Sequence, residues 1–137
     1  MDRTGTILIA DPDMQFLSEW ARTLGSEGFQ IFTAQKTAQA IQIVQKEKVD
    51  LLILEAEMPE MRAYEAIPIL KGVDPSLFII ITAARNTPEL EARIRHHPIF
   101  YYHIKTFGPE ELKLAVINAL ERQAAAEAKD REVPKSK

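Results

Sequence analysis

Five times along the chain a short apolar run is followed by an amphipathic stretch, and this alternation constrains the fold more than any other feature. The apolar runs cover residues 7–10, 29–34, 49–54, 77–82 and 99–104. Each is too short for a helix of ordinary length and is read as a strand. The run at 49–54 is almost continuously apolar, as expected of a central strand covered on both faces. Between the runs, Phe16, Leu17, Trp20 and Leu24 recur at helical spacing, as do Ala38, Ile41 and Val44, and later Leu112, Val116 and Leu120. Asp13 suits the N-cap of the first helix. Thr87-Pro88-Glu89 is a helix start with proline at the first helical position. Residues 64–70 read as a helix that Pro68 shortens or kinks. The last helix is expected over 109–126, followed by a charged, frayed tail at 127–137.

An order of βαβαβαβαβα predicts a doubly wound α/β domain over residues 1–126, with a parallel sheet between two helical layers. The common small solution is flavodoxin-like (βα)5, with strand order 2-1-3-4-5. In such sheets the site lies beyond the carboxyl ends of the strands. The residues there are Asp11-Pro12-Asp13 after the first strand, Glu55 after the third, Thr82 ending the fourth and Lys105 after the fifth. Acids, a hydroxyl and a lysine are thereby directed to one edge.

Composition removes several alternatives. The chain has no cysteine, so it has no disulfide framework and no thiolate nucleophile. A net charge of -3 without a clustered basic excess argues against direct nucleic-acid binding. No glycine-rich phosphate loop follows the first strand, and no Ser-His-Asp set or metal-spaced histidine pair is visible, so the chain is not expected to be an enzyme. The first apolar run is too short for a signal core or a membrane span, and a cytoplasmic location without membrane contact is expected.

Four segments carry a more specific likeness. They are Ile7-Leu8-Ile9-Ala10-Asp11-Pro12-Asp13, Asp50-Leu51-Leu52-Ile53-Leu54-Glu55-Ala56-Glu57-Met58-Pro59-Glu60-Met61, Ile79-Ile80-Ile81-Thr82-Ala83, and Tyr102-His103-Ile104-Lys105-Thr106-Phe107 with Pro109-Glu110-Glu111-Leu112. In this order and spacing, residues 5–125 resemble a response-regulator receiver domain of two-component phosphorelay signalling. The resemblance implies strand-one acids that hold Mg²⁺, a strand-three phosphoacceptor, Thr82 and Lys105 as phosphoryl contacts, and Tyr102 as an aromatic switch.

The chain departs from that pattern at three points. Glu55 replaces the phosphoacceptor aspartate, displacing the carboxylate by about one bond length, roughly 1.5 Å. A misplacement of about 1 Å costs on the order of 10²-fold in an aligned reaction. Pro12 replaces an acid, leaving Asp11, Asp13 and Glu55 as weak metal candidates and Mg²⁺ binding weakened. Thr106 stands where the family usually has proline. The expectation is a pseudo-receiver that needs no cofactor and acts as a phosphorylation-independent interaction module. The alternative is a working phosphoacceptor with weak or unusual phosphorylation.

The bland readings stand beside these roles. Lys105 either neutralises Asp11 and Glu55 or is a ligand-binding remnant, and Asp13 is a helix cap or a metal ligand. Thr82 and Tyr102 also read as a local hydrogen-bonder and a core aromatic, Glu57 as a solvated loop acid and His103 as a surface or edge residue. Adjacent His96 and His97 point in different directions on a helix and carry no site. The resemblance implies a histidine kinase or output protein as partner on the strand-four and strand-five face, with homodimerisation left open.

Overall fold

The computed structural model describes residues 4–132. Five parallel strands form one sheet: β1 (Thr6–Ala10), β2 (Gln30–Ala34), β3 (Leu51–Glu55), β4 (Phe78–Ala83) and β5 (Tyr101–Ile104), in the order β2-β1-β3-β4-β5. The helices are α1 (Met14–Gly25), α2 (Thr37–Lys46), α3 (Ala63–Val73), α4 (Pro88–Arg95) and α5 (Pro109–Glu132), and a short 3₁₀ turn (Lys105–Phe107) joins β5 to α5.

Strand alternation divides the core into two layers. Ile7, Ile9, Leu51, Ile53 and Ile80 pack under α1 and α5. Leu8, Leu52, Leu54, Ile79 and Ile81 pack under α2, α3 and α4, joined by Tyr102. Every residue of β3 is buried, as the central strand of a parallel sheet requires. Its register with β4 sets Glu55 beside Thr82, and that of β4 with β5 sets Thr82 beside His103.

The helix starts follow local chemistry. Asp13 Oδ1 accepts the Gln15 N–H at 3.0 Å, and Thr87 Oγ1 accepts the Leu90 N–H at 3.1 Å ahead of Pro88. Both satisfy orphan first-turn donors. Gly108 closes the 3₁₀ turn at φ +104°, a left-handed conformation that glycine adopts without steric cost.

Three expectations need correction. The last helix does not end at residue 126 but continues to Glu132. The sequence there, Ala124-Ala125-Ala126-Glu127-Ala128-Lys129, is rich in strong helix formers, and Lys48 Nζ lies 3.0 Å from Glu127 Oε2. Residues 133–137 of the expected tail lie outside the described residues. Pro68 does not stop α3 near residue 70: the helix runs on to Val73, with the proline ring on its exposed side and one N–H donor fewer to the Tyr64 carbonyl. His103 is not a surface residue; it is 2% exposed, with Nδ1 2.9 Å from Glu111 Oε1 of α5.

Candidate functional site

The carboxyl edge of the sheet brings Asp11, Glu55 and Lys105 together. Asp11 directly follows β1 and is 1% exposed. Its Oδ1 accepts the Asp13 N–H at 2.8 Å, and its Oδ2 accepts Lys105 Nζ at 2.6 Å. Glu55, the last residue of β3, is 4% exposed. Its Oε2 accepts the Glu57 N–H at 3.1 Å, and its Oε1 lies 3.0 Å from Lys105 Nζ. That second contact is close but off-axis, so Oε1 has an ion-pair partner without an aligned hydrogen bond.

Lys105 is the hub of this triad. The 3₁₀ turn aims it inward, and its Nζ lies 4.0 Å from the centroid of the Phe16 ring. Burial alone would lower its basicity. The hydrogen bond to Asp11 and the charges of Glu55 and Asp11 outweigh burial and hold the ammonium above its usual range. Two carboxylates about one ammonium keep the lysine charged in a partly desolvated place. They also occupy the lysine.

The other expected residues are placed differently. Asp13 is exposed and spent on capping α1. Thr82 is fully buried, yet its Oγ1 has no hydrogen-bond partner among the described residues. Tyr102 lies in the opposite layer and is 6% exposed, and its hydroxyl donates to Asn86 Oδ1 at 2.7 Å. Burial pushes its phenol up to about 12, aided by the charges of Glu91 and Glu55 and opposed by that of Arg95. Glu57 is a half-buried loop acid, with the exposed Arg85 Nε 3.6 Å from its Oε1. Lys105 and Thr106 are joined by a trans peptide.

Lys105 already engages carboxylate oxygens that a divalent cation would need. Among the described residues no three acidic or histidine side chains converge on one point. The weak metal candidates Asp11, Asp13 and Glu55 do not form a cage: Lys105 stands between two of them, and the third faces the helix backbone. Mg²⁺ demands several oxygen ligands in tight octahedral order, and an ammonium already placed among them opposes it.

Sequence reasoning missed Phe16, Arg85 and Asn86. Phe16 showed only as part of a helical stripe, and the other two lie in the loop after β4, where no periodicity marks a residue. A hollow of about 550 Å³ between α1 and α2 contains none of the convergent residues.

Residues 7–117 match the family model described as the response regulator receiver domain. The chain belongs to that family. This receiver domain is 31% identical over 121 residues to the transcriptional regulatory protein GlrR of Escherichia coli, covering 88% of this chain but 27% of that protein. It is 28% identical over 110 residues to sporulation initiation phosphotransferase F of Bacillus subtilis, covering 80% of this chain and 89% of that one. Among solved structures it resembles the signal receiver domain of an HD domain-containing protein from Pseudomonas fluorescens, at 27% identity and a TM-score of 0.83, covering 90% of this chain and 99% of that one. A receiver domain of two-component signalling is therefore the module in hand, and it spans about a quarter of the length of its larger regulatory relatives. No helix among the described residues is long and apolar enough to cross a membrane.

Proposed function

We propose that this receiver domain works as a phosphorylation-independent protein-interaction module, with Glu55 at the phosphoacceptor position. The observation that carries the proposal is the placement of Lys105 Nζ, 2.6 Å from Asp11 Oδ2 and 3.0 Å from Glu55 Oε1. The longer glutamate side chain reaches the lysine that a phosphoryl group would otherwise engage. It supplies one fixed negative charge where a phosphoryl group would supply about 1.5 to 2. In this reading Thr82 and Lys105 keep the positions of phosphoryl contacts without that task, and Tyr102 keeps the position of the switch aromatic. The pocket needs no Mg²⁺, and the domain performs no catalysis of its own.

The partner is a signalling protein, a histidine kinase or an output protein, docking on the β4–β5 face in the cytoplasm. One solved relative is a beryllofluoride-activated receiver domain dimer, and a second copy of the chain is the other partner in this reading. The competing reading is a weak working phosphoacceptor. It draws on the unpartnered Thr82 hydroxyl, a donor available to an incoming oxyanion. Two-dimensional amide spectra recorded with and without Mg²⁺ and beryllofluoride separate the two. Unmoved Glu55, Thr82 and Lys105 amides support the closed pocket; saturable shifts of those three support the working acceptor.

A further inference from the structure

Tyr102 is held by a circuit of side chains that does not include the acidic pocket. Its hydroxyl donates to Asn86 Oδ1 at 2.7 Å, and Asn86 Nδ2 donates to Glu91 Oε1 at 3.1 Å. Arg95 Nε donates to Glu91 Oε2 at 2.7 Å, and the Arg95 guanidinium returns over the Tyr102 ring at 5.2 Å from its centroid. The circuit thus closes on itself across the β4–α4 loop, one full turn of α4 and β5. The two donors hold Glu91 below the usual carboxylate range, so it stays an acceptor.

Across the sheet the Glu55 charge reaches the Tyr102 phenol, but no hydrogen bond joins the two. Glu55 and Lys105 make no hydrogen bond to Thr82, Asn86 or Tyr102 among the described residues, and Thr82 Oγ1 bonds to nothing. Tyr102 pairs in register with Ile81 and packs in its layer, whereas Thr82 pairs with His103.

We propose that Asn86, Glu91 and Arg95 form a clasp that keeps Tyr102 buried, so that α4 and β5 present one fixed surface whatever the state of the Glu55 pocket. Asn86, Glu91 and Arg95 are positioning residues, acting through Tyr102. The inference rests on the interaction-module reading and names what holds its docking face constant. A bidentate carboxylate shared by an amide and a guanidinium is stronger than either contact alone, because both donors bond a charged acceptor. An aromatic ring capped by a guanidinium gains a further cation–π attraction. Neither contribution depends on a charge change at Glu55.

The test is the light-induced nuclear polarisation of tyrosine rings by a flavin dye, which reports only rings that the dye can reach. The Tyr102 signal is identified by its loss in Tyr102→Phe. Asn86→Ala combined with Arg95→Ala removes the clasp at two exposed positions, and a native far-ultraviolet spectrum establishes that this variant is folded. Glu55→Gln alters the pocket alone. The clasp predicts a dark Tyr102 in the wild type and in Glu55→Gln, and a signal that rises several-fold in the double variant. A bright Tyr102 in Glu55→Gln would show that the pocket controls the ring and overturn the proposal, as would a Tyr102 that stays dark in the folded double variant. Phosphoryl uptake by the wild type is a separate measurement. It would end the reading of the pocket without deciding the clasp.

Discussion

Replacing Lys105 by methionine keeps most of the stem and removes the one cation between Asp11 and Glu55. Each contact, at 2.6 and 3.0 Å, has a gross attraction of about 6 kcal/mol at an effective dielectric of about 20, most of it offset by desolvation. The cost of the substitution is set instead by the two carboxylates left behind, which are 1% and 4% exposed. Removing one partner of a buried pair destabilises by about 3–5 kcal/mol. The lysine side chain is 19% exposed, so water entering at the mouth screens part of this, and the lower end, about 3 kcal/mol, applies. With a urea slope of about 2 kcal/mol/M, the unfolding midpoint falls by about 1.5 M at pH 8. The loss depends on pH with a definite sign. In the variant, protonating either carboxylate relieves the repulsion in the native state, so the folded form takes up a proton more readily than the unfolded chain. Acidification therefore favours folding of the variant, and its deficit is smaller at pH 5 than at pH 8. Urea titrations at the two pH values measure both quantities. A midpoint within a few tenths of a molar of the wild type at pH 8, or a deficit that does not shrink on acidification, would refute the triad.

Three further outcomes follow from the same contacts. Asp13→Ala removes the cap of α1 and is expected to cost about 1 kcal/mol in chemical denaturation, with the same response to added Mg²⁺ as the wild type; a metal-dependent difference would return Asp13 to a ligand role. Ultraviolet titration is expected to show one of the three tyrosines ionising near 12, and the late step to vanish in Tyr102→Phe. Because this folded value lies above the ordinary 10, the contribution is complete below 10, and stability falls as pH rises from 10 to about 12. Leu52→Ala on the fully buried central strand leaves a cavity and is expected to cost about 2–5 kcal/mol in thermal or urea unfolding, without changing the Lys105 contacts.

The sheet was legible because its strands are covered on both faces. Residues 51–54 form an apolar run that few other structures can bury, and the helices between runs show their inner stripes plainly. The edges were less so. Val49 is buried without being in a strand, because the following residue, Asp50, turns its carboxylate to accept the Thr6 N–H at 2.8 Å and β3 begins at Leu51. His103 looked like an edge residue because alternation within β5 cannot reveal that α5 lays Glu111 over it.

The convergence of Asp11, Glu55 and Lys105 followed from strand order alone, since all three sit at carboxyl ends. Their pairing did not, because it depends on the length of the glutamate and the turn after β5. The clasp was invisible in the sequence: Asn86 lies in a loop, and the i,i+4 spacing of Glu91 and Arg95 is that of any helical ion pair.

The central claim is that the pocket is closed by its own charges and takes no phosphoryl group. Intact-mass measurement after incubation with acetyl phosphate and Mg²⁺ tests it most directly, with Glu55→Asp measured beside the wild type. A closed pocket predicts no added phosphoryl mass on the wild type; uptake by the aspartate variant alone would place the block at Glu55, and uptake by neither would place part of it at Pro12. A labile phosphoryl adduct on the wild type would contradict the claim and make this domain a working phosphoacceptor.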